Sequence, residues 1–174
     1  LLVYTFVPND IEYCDERTAA FYQQRATLEP SFFLWKHTYF YNLLYHRLSH
    51  LGTANSGDYY GYLQASYSGT PWSCFTQNLD RLEAWCQQRN TRLVVVIFPF
   101  LTNLDEQHPF LPAYAQLQQY CVEHKIACLD LSSDMIQHQR EGLVVSRFDA
   151  HPNERAHAIA AQALSPHLQD LLAD

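Results

Sequence analysis

An acid and an imidazole lie close together near the end of the chain, in the tract Asp149-Ala150-His151-Pro152-Asn153. Asp149 and His151 are two residues apart, so in an extended turn both side chains can point the same way. A carboxylate beside an imidazole orients the ring and fixes its tautomer, which is the acid–base half of a hydrolase triad. Pro152 stiffens the turn and Asn153 is suited to cap the helix that follows. The same residues also fit a well-capped helix start, so a second motif has to decide between the two interpretations.

The second motif stands at the start of the chain, where an apolar run, Leu1–Val7, is followed by Pro8, Asn9 and Asp10. The run predicts a buried parallel strand, which places Asn9 at the carboxyl end of that strand. Ligands of open α/β sheets bind outside these ends, where an Asn carboxamide can donate a hydrogen bond to a developing oxyanion. Asn-Asp is also a common turn sequence, so the pair alone is more often a helix cap or a turn than a catalytic donor.

Together the two motifs resemble the SGNH (GDSL-type) esterase and lipase family. In that family one strand ends in Gly-x-Asn-Asp, and the last motif is an Asp-x-(x)-His pair followed by Pro and Asn. This chain has Val7 where the family has the glycine. The resemblance implies that Asn9 is an oxyanion-hole donor, that His151 is the general base and acid, and that Asp149 orients His151.

The other half of the family's site has no counterpart in these residues. The family's serine lies in a Gly-Asp-Ser block ahead of the Asn-Asp strand, whereas Gly57-Asp58 is followed here by Tyr59 and comes later in the order. The resemblance therefore spans nearly all of the chain but includes only two of the family's four motif blocks. It predicts that the chain is the carboxyl-terminal portion of an SGNH domain, with the nucleophilic serine upstream of Leu1. The chain alone is expected to be nearly inert.

Length and composition fit a globular protein of this kind. With 174 residues, 48% of them hydrophobic and 17% charged, the chain can bury a sizeable core, and we predict a single domain, incomplete at its amino terminus, over residues 1–174. The net charge of -7 and the 11 Lys and Arg residues argue against nucleic acid as a partner, because phosphate binding needs clustered basic side chains.

Metal and redox chemistry find little support in the sequence. A metal site would use Asp149, His151 and His157, but the two histidines are six residues apart, which does not place them on one helical face, and no third ligand set is evident. We therefore expect no metal and no cofactor. The five cysteines are scattered without a Cys-x-x-Cys pair, so we expect buried free thiols and lean weakly toward a cytoplasmic location.

Helical and strand patterns alternate along the chain. Residues 51–70 are rich in Gly and Tyr and predict a long loop insertion, and His108, His124 and His138 are expected on the surface. The predicted helices are 16–28, an aromatic-rich segment 31–50, 72–89, 110–124, 134–140 and 153–172, with further strands at 92–98 and 126–131. The pattern predicts a three-layer α/β/α architecture with a parallel sheet. The resemblance implies a flavodoxin-like SGNH-hydrolase fold whose first strands are missing from this chain.

Two functional consequences follow from the resemblance. The complete domain would hydrolyse an acyl ester through a Ser-His-Asp triad, and the substrate would be a small-molecule, lipid or carbohydrate ester. The alternative is a catalytically silent SGNH-like binding or scaffold domain that uses the Tyr-rich loop as its contact surface. The family topology also leaves Leu1–Val7 as an unpaired edge, which predicts docking with a missing amino-terminal part or self-association through that strand.

Overall fold

A computed structural model describes residues 1–14, 37–41 and 59–173 of the chain. The contacts group into two compact units, one made of Leu1–Asp10 with Ser73–Asp174 and the other of Ile11–Trp72. The prediction of a single domain over residues 1–174 stays a prediction. None of the described helices is both long enough and apolar enough to cross a membrane.

The first unit is built on a parallel sheet whose three strands lie side by side in their order along the chain. The strands are β1 (Leu2–Phe6), β2 (Leu93–Ile97) and β3 (Ala127–Asp130). Every residue of β2 is buried, so both faces of the central strand are covered, as its run of β-branched side chains predicts. The prediction of an α/β protein with a parallel sheet is confirmed.

Five α-helices, two short 3₁₀ helices and a hairpin are described in addition to the sheet. The helices are α1 (Tyr59–Ser66), α2 (Gly69–Gln87), α3 (Leu111–Glu123), α4 (Ser132–Gln137) and α5 (Glu154–Ala173). Short 3₁₀ helices cover Pro8–Cys14 and Gln139–Glu141, and an antiparallel hairpin is formed by β4 (Val144–Ser146) and β5 (Asp149–Pro152). The hairpin occupies the segment that the sequence predicted as a turn before the last helix.

The core of the first unit fixes α5 against the sheet. Val94 and Val96 of β2 pack with Met135 of α4 and with Ile159 and Ala160 of α5 in one cluster of buried side chains. Burying a large aliphatic side chain of this kind contributes roughly 1.5–3 kcal/mol. The amino end of α5, which follows the hairpin directly, is therefore held over the sheet.

The long loop predicted over 51–70 is wrong where the structure describes it. Residues 59–66 form α1, and α2 begins at Gly69. Leu63 is fully buried in α1, and packing of this kind overrides the weak helix propensity of Gly61. Residues 51–58 and the predicted helix 16–28 lie outside the described residues, as does most of the predicted helix 31–50.

Two cysteines also differ from expectation. Cys86, Cys121 and Cys128 are free thiols, whereas Cys14 and Cys74 are each part of a disulfide. Scattered cysteines give no local signal of pairing, because the bond depends on the folded distance between two sulfur atoms. The expectation of free thiols is therefore wrong for Cys14 and Cys74.

Candidate active site

The hairpin presents the predicted acid and imidazole on one strand. Asp149 begins β5 and pairs with Ser146 of β4. Because successive side chains of a strand alternate between its two faces, Asp149 and His151 lie on the same side of β5. The turn that joins the strands is closed by Ser146, whose Oγ accepts a hydrogen bond from the Phe148 backbone N–H at 3.2 Å.

Asp149 and His151 form a hydrogen-bonded pair. The Asp149 Oδ1 atom lies 2.6 Å from Nδ1 of the His151 ring and also accepts the His151 backbone N–H at 3.0 Å. These bonds hold the pKa of the Asp149 carboxyl below its usual range, and the bond from the backbone amide has the larger effect. With Nδ1 bound to the carboxylate, Nε2 is the ring nitrogen left for a reacting proton. The His151 side chain is 88% exposed, so a substrate can approach it.

Asn153 ties the hairpin to the helix behind it. Its Oδ1 atom accepts the backbone N–H groups of Arg155 and Ala156 at 3.0 and 3.1 Å, which caps the start of α5. Its Nδ2 group donates to the backbone oxygens of Gly142 and Val144 at 2.7 and 3.1 Å. One side chain therefore satisfies free amides of the helix and free carbonyls at the start of the hairpin. The predicted capping role of Asn153 is confirmed, and the hairpin contacts add to it.

Asn153→Ala should therefore lower the stability of the protein by about 2 kcal/mol, because the loss of an N-cap costs about 0.5–2 kcal/mol and the hairpin bonds are lost as well. Asn153→Asp is the matched variant, since it keeps the capping oxygen and loses the donor to Gly142 and Val144. We expect it to fall between the parent and Asn153→Ala in urea denaturation. An Asn153→Ala protein with an unchanged midpoint and slope would contradict this role.

Asn9 is held in a closed turn at the carboxyl end of β1. The Asp10 carboxylate accepts hydrogen bonds from the Tyr4 hydroxyl at 2.9 Å and from the Val7 backbone N–H at 3.2 Å. The Val7 carbonyl in turn accepts the Asp10 N–H at 2.9 Å. Burial raises the pKa of Asp10, and the bonds from Val7 and Tyr4 oppose that rise. Asp10 thus shapes the turn that presents Asn9.

One cavity of about 730 Å³ brings the predicted residues together. Asn9, Asp149 and His151 all line it, together with Thr5 of β1 and His157 of α5. The cavity lies at the carboxyl ends of β1 and β2, which is where α/β sheets place their ligands. The three residues singled out from the sequence therefore share one site, although Asn9 and His151 are 142 positions apart along the chain.

The walls of the cavity are residues that the sequence did not single out. Residues 98–101, directly after β2, form one wall, Ala160, Ala161 and Leu164 of α5 form another, and Phe148 stands on the hairpin turn. The His157 and Phe98 rings lie 6.3 Å apart between centroids, so the exposed His157 ring lies beside Phe98 in the site. The position of residues 98–101 at the carboxyl end of the predicted strand 92–98 was the signal that would have found them.

The loop between β2 and α3 packs behind this wall. Its His108 is 2% exposed, so the prediction that His108 lies on the surface is wrong. The ring stacks on Tyr114, with centroids 5.8 Å apart, and burial lowers the pKa of His108 because it disfavours the charged form. The Tyr114 hydroxyl accepts the Phe100 backbone N–H at 3.2 Å. Aromatic packing on Tyr114, which a local sequence pattern does not show, draws the histidine inward.

Among the described residues, no group of three or more His, Cys, Asp or Glu side chains is arranged to hold a metal ion. The described site consists of a carboxylate–imidazole pair and an Asn side chain at the carboxyl edge of a parallel sheet. Comparisons of the chain with models of protein families, with curated proteins and with solved structures found no match.

Proposed function

We propose that this chain supplies the acid–base pair and an oxyanion donor of a serine esterase of the SGNH type, built on the flavodoxin-like fold of that family. The observation that supports the proposal is that the hydrogen-bonded Asp149–His151 pair and Asn9 line one cavity. Paired acid and imidazole groups are common on protein surfaces. Their location beside an amide donor at the carboxyl edge of a parallel sheet is what favours acyl transfer.

In the proposed reaction a serine hydroxyl attacks the ester carbonyl and passes its proton to Nε2 of His151. The imidazolium that forms is stabilised by the Asp149 carboxylate, which remains ionised. The negative charge that develops on the carbonyl oxygen accepts a hydrogen bond from the Asn9 carboxamide. His151 then returns the proton to the leaving alcohol. Water next attacks the acyl-enzyme with His151 again as the base, and the serine leaves with the proton that His151 returns to it.

We propose that the serine comes from residues that precede Leu1. Among the described residues that line the cavity none is a serine, and Thr5 carries the hydroxyl found there. Ser146 is near in sequence, but its Oγ accepts the Phe148 amide in the hairpin turn. A nucleophile supplied by a preceding segment is consistent with the order of motifs in the family that the chain resembles.

Labelling with a fluorophosphonate probe tests the proposal directly. We expect the full-length gene product to be labelled on a serine upstream of Leu1, as mapped by peptide mass spectrometry, and the 174-residue chain to remain unlabelled. Labelling of a serine within the chain would refute the assignment of the nucleophile. An absence of label on both proteins would refute the esterase and favour the alternative of a catalytically silent binding or scaffold domain.

The role of Asn9 gives a separate prediction. Asn9→Ala in the full-length protein should lower kcat for p-nitrophenyl acetate by about 10²–10³-fold with little change in KM, because the donor acts on the charge of the transition state. Asn9→Asp, which replaces the donor by an acceptor of the same shape, should be at least as impaired. Asn78→Ala, on the exposed face of α2, is the control. Equal kcat in all three variants and the parent would contradict the role.

A further inference from the structure

The lining of the cavity carries information about the substrate. Among its described residues none is Lys, Arg or Glu, and Asp149 is the single carboxylate. The remaining wall is made largely of aromatic and aliphatic side chains contributed by residues 98–101, by Leu131 and by Leu164. A site built to bind a phosphate or a carboxylate needs a cationic side chain or a row of free amides. This lining instead suits an uncharged and apolar group.

The size of the cavity agrees with that chemistry. About 730 Å³ falls within the roughly 300–1,000 Å³ that is usual for sites that enclose a small organic molecule. An acetyl group would leave most of the apolar wall in contact with water. A longer acyl chain would cover the wall, and each buried methylene adds to affinity through the hydrophobic effect.

Phe148 is an apolar residue held in the open at the mouth of this cavity. It is 79% exposed and still lines the cavity beside Asp149. Its backbone is fixed by the bond to Ser146 Oγ, and the Arg147 guanidinium lies over its ring, 4.4 Å from the centroid. The ring is thus positioned next to the acid–base pair, where an apolar ligand would cover it.

We propose that the site takes esters with an apolar acyl chain longer than acetyl, and that Phe148 is a specificity-determining residue that contacts this chain. The proposal rests on the proposed esterase function, since it takes the acyl group of the substrate as the occupant of the cavity. It goes beyond that function because it specifies an apolar acyl chain as the acyl group of the substrate, in place of an acetyl group or an anionic acyl group.

Binding of ketones tests the proposal without turnover. Octan-2-one and acetone present the same carbonyl with and without the chain, and neither has a leaving group. In calorimetric titration of the full-length gene product we expect octan-2-one to bind about 100-fold more tightly than acetone, or more, because it buries several additional methylenes. Phe148→Ala should weaken the binding of octan-2-one about tenfold and leave the binding of acetone unchanged. Phe148→Leu should restore most of the affinity for octan-2-one.

Val145→Ala is the matched control, because Val145 is 57% exposed on the same hairpin and does not line the cavity. Octan-2-one that binds no more tightly than acetone, or an equal affinity in Phe148→Ala and Val145→Ala, would overturn the proposal even if acetyl esters are hydrolysed. Chain-dependent binding that requires Phe148, in a full-length protein that hydrolyses no ester, would support the apolar site and refute the esterase. The two proposals therefore fail separately.

Discussion

On the proposed mechanism, replacing His151 by alanine should lower kcat for ester hydrolysis by the full-length protein by about 10⁴-fold or more. The loss is this large because a serine without its base is a weak nucleophile and the leaving alcohol loses its proton donor. The structure supports the assignment through the 2.6 Å contact of the His151 ring with Asp149 and through the location of His151 in the cavity with Asn9. Steady-state hydrolysis of p-nitrophenyl esters and the rate of fluorophosphonate labelling should fall together.

His167→Ala is the control for this variant. His167 is exposed on α5, its Nδ1 lies 3.1 Å from the Ala163 carbonyl oxygen within the same helix, and it does not line the cavity. Its kcat should equal that of the parent. If His151→Ala kept more than a tenth of the parent kcat while folding normally, the acid–base role of His151 would be refuted.

Asp149→Asn should lower kcat about 10⁴-fold and change the fold little. The amide would still fill the space of the carboxylate, but it can present an N–H to Nδ1 and so favour the wrong tautomer of His151. It also removes the charge that stabilises the imidazolium. The measurement is kcat across pH 5 to 9 for the variant and the parent, with Asp170→Asn on α5 as the control.

The sign of the pH effect follows from the pKa of Asp149, which the His151 hydrogen bonds hold below its usual range. A group whose pKa is lower in the folded state adds stability above its unfolded pKa and loses that contribution as the pH falls through the folded pKa. The difference in unfolding free energy between the parent and Asp149→Asn should thus shrink as the pH falls through the acid range. A difference that grows as the pH falls would contradict an ionised Asp149 in the folded protein.

The elements that could be predicted from the sequence are those determined by local patterns. The run Leu93–Ile97 is apolar and β-branched throughout, and it forms the buried central strand. Asn153 caps α5 because an Asn ahead of a helix supplies an oxygen to free amides, whatever lies further away. The Asp149–His151 contact is likewise local, since two residues of one strand suffice to form it.

The features that escaped prediction depend on contacts between distant segments. The apolar wall at residues 98–101 and Phe148 line one cavity only because the sheet, α5 and the hairpin pack together. His108 is buried because Tyr114 of the next helix provides a ring to stack on. Gly61 lies in a helix because the burial of Leu63 outweighs its low helix propensity.

One oxygen of Asp149 binds both the ring and the backbone amide of His151. The amide and the ring therefore share a single acceptor, and a rotation of the carboxylate that releases one releases the other as well. The backbone amide of His151 is in consequence a spectroscopic reporter within the site. Its chemical shift and its rate of hydrogen exchange report whether the carboxylate keeps the orientation in which the same oxygen also reaches the ring.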